Sequence, residues 1–291
     1  MSTILVIGCV SFDTVHLDQI APRKSHQTIG GAGLYTALAA ARAGATVTLY
    51  APKPFPMPEA LAPLDAVLNW IGPQVAVADM PTLEIIHHGN DRATLVGASW
   101  GAENLLSPDD LQTLVTDTHF DIAHIAALPT AERQLQFMRS LKAFKANQVI
   151  SAGTYARAIE AAAPAVKELL NGVDAFFMNS NEARMLYGEE KIVPGEYQLI
   201  FVTDGARGAD VFLSNEPDAT PQHVTAEVVD VIDPTGAGDS FCGGALAGLT
   251  LYVSPVAAAQ VGTLVASKSI EYVGPAIYFI EDQEQNQDQD C

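Results

Sequence analysis

Residues 233–249 read DPTGAGDSFCGGALAGL, and this stretch decides the fold. The apolar run VVDVI (228–232) leads into it and reads as a strand ending at Ile232. A turn containing Gly236 and Gly238 follows, and small residues then continue at helical spacing from about Gly236. Backbone N–H groups at a helix start point outward, and the helix dipole adds partial positive charge, so the place favours an anion. The two glycines allow close backbone approach. Asp239 then sets a carboxylate beside that anion hole, which a pure phosphate-binding loop does not need. A carboxylate fits there if it takes a proton from a hydroxyl attacking a phosphorus held on those amides. The plainer reading, that Asp239 only complements the helix dipole, stands beside it.

Outward from this stretch, strand-like and helix-like segments alternate. ILVIGCV (4–10), TVTLYA (46–51), DIAHIAAL (121–128), QVISAGTY (148–155), AFFMNS (175–180) and QLIFVTDG (198–205) read as buried strands. Helices are expected over 34–44, closed by Gly44, over 130–145, over 157–170, from Glu182 and from about Ser254. This rhythm predicts an α/β protein with a doubly wound, mainly parallel sheet flanked by helices. ADVFLSN (209–215) is expected as an antiparallel edge, and the Pro-rich 51–63 as a loop. Two segments break the rhythm: 13–29 alternates polar and apolar residues, and 82–98 reads as a hairpin turning at Gly89-Asn90-Asp91. Both suit a small β-lid, with lid segments at about 14–29 and 82–98. In the hairpin, His87 and His88 must face opposite sides, with a solvated histidine as the default.

The chain has 291 residues, 48% of them hydrophobic, enough for one large core. The expectation is a single domain over 1–280. The tail EDQEQNQDQDC (281–291) is expected to be disordered, because it is acidic and nearly devoid of apolar residues. Fifteen Lys and Arg against 34 Asp and Glu give a net charge of −19, which argues against nucleic acid or an anionic membrane as partner. Residues 240–267 carry no charge, but glycines and Ser254-Pro255 interrupt them, so two core helices are expected there and not a membrane span. The cysteines Cys9, Cys242 and Cys291 offer neither a disulfide framework nor a metal motif, and the N-terminal MSTILVIGCV reads as a strand, so a cytoplasmic protein is expected. P-loop, dinucleotide and zinc signatures are missing; Phe241 stands where a dinucleotide fingerprint needs glycine.

The stretch 233–249 resembles the second signature of the ribokinase-like, PfkB-type carbohydrate kinase family. The resemblance covers most of the chain: IGCVSFDTVHL, GGAGLYTALAAARAGA, NSNE (179–182) and FVTDGARGADVF are similar, in order and spacing, to further segments of that family. It implies an ATP-dependent transfer of the γ-phosphoryl to a hydroxyl of a sugar or polyol. By that resemblance Asp239 is the general base, and Gly236, Ala237 and Gly238 form the anion hole. Asn179 and Glu182 organise Mg²⁺ and the ATP phosphates, Glu182 through water. Thr203, Gly205 and Gly208 lie along the nucleotide. Asp13, Gly30 and Gly31 hold acceptor hydroxyls, and Asp233 helps order a monovalent cation such as K⁺. Taken singly, Asn179 and Glu182 fit a helix cap, and Thr203-Asp204-Gly205 a plain turn.

The departures bear on the acceptor. Tyr35 stands where ribose-binding members have Asn, Ser11 replaces another Asn, and no acidic ligand lies near Ala127. A site built to bond hydroxyls discriminates strongly when partners change, so ribose and fructose fall behind. Tyr35 resembles the branch acting on cyclitols such as myo-inositol, fits a nucleoside stacked on its ring, or only packs. A homodimer through the lid is compatible with the hairpin. The rival readings are a non-catalytic metabolite sensor of the same fold and, more remotely, an NAD-linked dehydrogenase.

Overall fold

The computed structural model describes residues 2–17, 24–89, 92–144, 148–213, 218–251 and 253–280. The acidic tail, Cys291 and the Asn90-Asp91 tip of the expected hairpin lie outside the described residues. In chain order the strands are β1 (Thr3–Ile7), β2 (Ser11–Leu17), β3 (Lys24–Gly30), β4 (Thr46–Tyr50), β5 (Lys53–Pro54), β6 (Asn69–Ile71), β7 (Gln74–Val75), β8 (Thr82–Gly89) and β9 (Arg92–Ser99). They continue with β10 (Ile122–Ile125), β11 (Val149–Gly153), β12 (Ala175–Asn179), β13 (Leu199–Thr203), β14 (Ala209–Phe212) and β15 (Gln222–Val224). The α-helices are α1 (Ala32–Arg42), α2 (Leu64–Val67), α3 (Asp110–Asp117), α4 (Ala131–Ala143), α5 (Ala156–Gly172), α6 (Ser180–Tyr187), α7 (Ala237–Thr250) and α8 (Pro255–Ser269).

The main sheet has nine strands in the order β15-β14-β13-β12-β11-β10-β1-β4-β6. It is parallel from β13 through β6, and β14 and β15 close one end antiparallel. Alternate residues of a strand face opposite sides. Accordingly Ile4 and Val6 join a core with residues of α1 and α7, whereas Leu5 and Ile7 join a second core with residues of α3, α4 and α5. The sheet is therefore buried on both faces, as expected of a doubly wound α/β fold. Gly44 takes φ +95 just after α1, the left-handed stop expected there.

A second sheet, β3-β2-β8-β9, is built from the two segments that broke the strand–helix rhythm. Its β8–β9 pair is the antiparallel hairpin expected from the alternation over 82–98. Three expectations are corrected. No strand precedes the signature turn: residues 225–232 are irregular, and the N–H groups of Ile232 and Asp233 reach only the carbonyl of Ile270. The apolar run misled because Val228 and Ile232 are exposed and not buried in the sheet. The edge strand is β15, and β14 lies one place inside it. The Pro-rich segment is not wholly loop, since Lys53–Pro54 pairs with Gln74–Val75. Among the described residues no helix is long and apolar enough to cross a membrane. Within the uncharged run, residues 240–250 belong to α7 and 255–267 to α8, and the two helices pack against each other.

Candidate active site

A cavity of about 290 Å³ opens at the C-terminal ends of the parallel strands, under the small sheet. Ligands bind at that end in open α/β sheets. Residues from distant parts of the sequence meet there: Asp13, Gly31 and Tyr35, then Asn179, Glu182 and Thr203, then Gly236, Gly238 and Asp239. Gly30 and Ala237 do not line the cavity but each adjoins a residue that does, Asp233 bonds the lining Thr235, and Gly205 and Gly208 lie off the cavity in the turn after Thr203.

At one end, Asp13 of β2 is buried, and its Oδ1 accepts a 2.6 Å hydrogen bond from Ser11 Oγ. Ser11 is thus a partner of the acid and not merely a lost amide. Oδ2 is buried with no partner among the described residues. A Cβ on Gly30 would collide with that oxygen, so glycine is needed there for the carboxyl to keep its place. Gly31, at φ +101, caps α1 beside the Cys9 carbonyl and starts the helix that delivers Tyr35. The Tyr35 ring is only 2% exposed and lies against Gly236, where any Cβ would strike it. Its hydroxyl also lacks a partner among the described residues.

Farther along, Asn179 and Glu182 form a complete capping box on α6. Asn179 Oδ1 accepts from the N–H of Asn181 and Glu182 at 3.0 and 2.9 Å. The Glu182 carboxylate accepts from Asn179 N and Nδ2, both at 2.8 Å. The helix-cap reading therefore holds, and Glu182 lines the cavity as well. Thr203 ends β13, and the turn after it is tied by Asp204, which accepts from Ser180 Oγ at 2.6 Å and from Arg207. Gly205 and Gly208 flank that turn with positive φ.

The signature turn supplies the third group. Gly236 takes a left-handed conformation at the N-cap of α7, and Asp239 sits in the first helical turn. The Ala237 N–H points back to Pro234 O at 3.2 Å, so its contribution to an anion hole requires that bond to open. Asp233 is buried. Its Oδ1 accepts from Thr235 N at 2.9 Å and its Oδ2 from Gly274 N at 2.9 Å. His87, expected to be solvated, is instead 6% exposed, with Nε2 at 2.8 Å from Thr235 Oγ1 and 3.2 Å from Asp233 Oδ1. His88 turns the other way and meets Thr94 Oγ1, as the strand pleat requires.

The charges are unusual. Burial pushes the carboxyls of Asp13, Glu182 and Asp239 each up to about 7. Nearby acids add to this, Asp233 for Asp13 and Asp239 for Glu182. Burial also raises Asp233, but the hydrogen bonds from His87, Gly274 and Thr235 outweigh it and hold that carboxyl below its ordinary value. Asp233 Oδ2 has a single donor and keeps a further lone pair, so these hydrogen bonds are compatible with the monovalent cation expected beside it. Glu182 and Asp239 do fit a divalent cation held through water, because a positive charge between them relieves both burial and mutual repulsion.

Sequence reasoning missed several lining residues. His124, on β10, is wholly buried; burial pushes its imidazole down to about 3, so it is neutral, and Nδ1 lies 2.9 Å from Ser151 Oγ. Trp100 and Tyr155 form an edge-on pair, 6.3 Å between ring centres, and both line the cavity. Leu83, Ile85 and Leu95 close it from the small sheet. Only the position of His124 inside an apolar strand gave a sequence signal.

A doubly wound sheet with a helix N-terminus, a carboxylate in its first turn and a covering sheet defines a small-molecule phosphotransferase fold. The pfkB family carbohydrate kinase model matches residues 74–282, and the chain belongs to that family. It is a kinase acting on a hydroxyl acceptor. It is 29% identical over 257 residues to a cytidine kinase of Thermococcus kodakarensis, covering 85% of this chain and 88% of that one. It is 35% identical over 75 residues to an inositol 3-kinase of Arabidopsis thaliana, covering 26% and 20% of the two chains. A Burkholderia thailandensis nucleoside kinase solved in complex with inosine shares the fold, with a TM-score of 0.74, 17% identity and coverage of 94% and 93%.

Proposed function

We propose that the protein transfers the γ-phosphoryl of ATP to a hydroxyl of a nucleoside. The observation that carries this reading is the apolar and aromatic part of the cavity wall: Trp100, Tyr155, Phe177 and the aliphatic side chains of Leu83, Ile85 and Leu95 from β8 and β9. A cyclitol or open polyol carries a hydroxyl on nearly every carbon and needs a polar partner for each. A flat base needs apolar and aromatic surface with few polar contacts, which is what this wall provides. The cytidine kinase similarity supports the same class over most of the chain; the inositol 3-kinase similarity is confined to a short stretch.

In this reading the unpartnered Asp13 Oδ2 accepts a hydrogen bond from a sugar hydroxyl and so fixes the ribose. Asp239 takes the proton from the attacking hydroxyl as the new O–P bond forms and the bond to ADP breaks. The amides of Gly236 and Gly238 hold the transferred phosphoryl, with Ala237 joining when its bond to Pro234 opens. Thr203, Gly205 and Gly208 line the nucleotide's path. Asn179 and Glu182 would hold Mg²⁺ through water, and the ion would supply positive charge beside the phosphates. The small sheet acts as the lid, excluding water from the phosphoryl group.

The test is ADP release from Mg-ATP against a panel of nucleosides, pentoses, hexoses and cyclitols, with Asp239→Asn in parallel. Turnover on nucleosides, cut by about 10²–10⁴-fold in the variant, is expected. Turnover on inositol and not on nucleosides would replace this substrate class with cyclitols.

A further inference from the structure

The small sheet reaches Asp233 at two points, directly through His87 and indirectly through Gly274, which packs on the sheet. His87 comes from β8, and its Nε2 meets Asp233 Oδ1 at 3.2 Å and Thr235 Oγ1 at 2.8 Å. A carboxylate only accepts, so the proton is on Nε2. The other point is Gly274, whose N–H donates to Asp233 Oδ2 at 2.9 Å while its Cα packs so closely on Thr28 of β3 that a Cβ would collide with the threonine hydroxyl. Asp233 Oδ1 in turn holds the Thr235 N–H. Thr235 is the residue immediately before Gly236, and it lines the cavity. The backbone here has no strand to hold it, since residues 225–232 are irregular and only the Ile270 carbonyl receives Ile232 and Asp233. The turn that presents the anion hole is therefore fixed by side chains, and one of those belongs to the covering sheet.

We propose that His87 is a positioning residue that latches the small sheet to the anion-hole turn. Seating of β8 over the acceptor brings the imidazole onto Thr235 and Asp233 and sets the Gly236 and Gly238 amides for the phosphoryl group. When β8 lifts, the turn loses a buried donor and its order. The device makes phosphoryl transfer conditional on closure, so that water entering an open site meets an unassembled anion hole. This inference rests on the kinase reading for its purpose but not for its geometry.

The test uses the full chain with His87→Leu, His87→Gln and Thr235→Val. Hydrogen–deuterium exchange of the peptide spanning 233–240, without any ligand, is compared across the set. Exchange faster by about tenfold or more in His87→Leu and in Thr235→Val, and close to wild type in His87→Gln, is expected, because the glutamine amide restores a donor. Unchanged exchange in both Leu and Val variants overturns the latch. Thr235→Val leaves the sheet untouched and keeps the test decisive if His87→Leu does not fold. With an acceptor that supports turnover, kcat should fall about tenfold or more while the acceptor KM stays within about twofold, with recovery in His87→Gln. A raised acceptor KM with unchanged kcat also overturns the latch, making His87 an acceptor contact. If the wild type phosphorylates nothing on the panel, the functional reading falls, and the exchange experiment still decides the latch.

Discussion

Asp239 carries opposite demands at the scale of single residues. Its carboxyl is raised to about 7 by burial, as are those of Asp13 and Glu182. A carboxyl whose folded pKa lies above its unfolded value holds its proton more tightly in the folded state. Stability is then greatest at low pH and is lost as pH rises from the ordinary carboxylate range through about 7. The urea midpoint should therefore fall between about pH 5 and about pH 8, and Asp239→Asn should raise it at the upper end by removing a buried charge. A midpoint in Asp239→Asn equal to or below wild type at about pH 8 would contradict this. In its proposed role as base Asp239 works ionised, so kcat/KM should run the other way, climbing as pH passes about 7 and levelling off above it. Asp239 was legible because the residues around it form a long motif. His87 was not, because its burial depends on Thr235, which lies 148 positions away in the sequence, and nothing in the local alternation distinguishes it from a solvated histidine.

Among the elements, α7 sets the position of the site. Its first turn presents Asp239, and its body is pressed against α1 at Gly243, where a Cβ would run into the Thr36 carbonyl and Ala39. α1 is capped by Gly31 and carries Tyr35, so the α1–α7 contact fixes Tyr35 against the turn at Gly236, the acceptor and phosphoryl ends of the proposed site. Gly243→Ala should cost about 1–3 kcal/mol in chemical denaturation and should lower turnover, although it touches no substrate. Full stability in that variant would show that the helices separate without strain. The parallel strands and their helices were readable from apolar runs between Gly and Pro signals. The segment before Asp233 was not, because a short apolar run looks the same whether it enters a sheet or lies exposed like Val228 and Ile232. The Asn179/Glu182 spacing showed a helix start, but the cap alone did not reveal that Glu182 also faces the cavity.

Taken whole, the molecule is a doubly covered sheet with its chemistry at one end and a second sheet above it. The alternation over 13–29 and 82–98 signalled strands outside the main rhythm, but the pairing β3-β2-β8-β9 joins segments that no local pattern connects. The same assembly gives the protein an optical property. It has two tryptophans. Trp70 is buried in the core, with its indole N–H on the Ala51 carbonyl at 3.2 Å. Trp100 is partly exposed on the cavity wall against Tyr155. Emission from Trp70 should stay constant as the site fills, so a shift or quench on adding acceptor reports Trp100 alone. Titrating a nucleoside into the wild type should change the spectrum, and Trp100→Phe should abolish the change; a signal that survives in Trp100→Phe would place the response elsewhere. The chain thus contains its own fluorescent gauge of acceptor occupancy, readable without a label or a turnover assay.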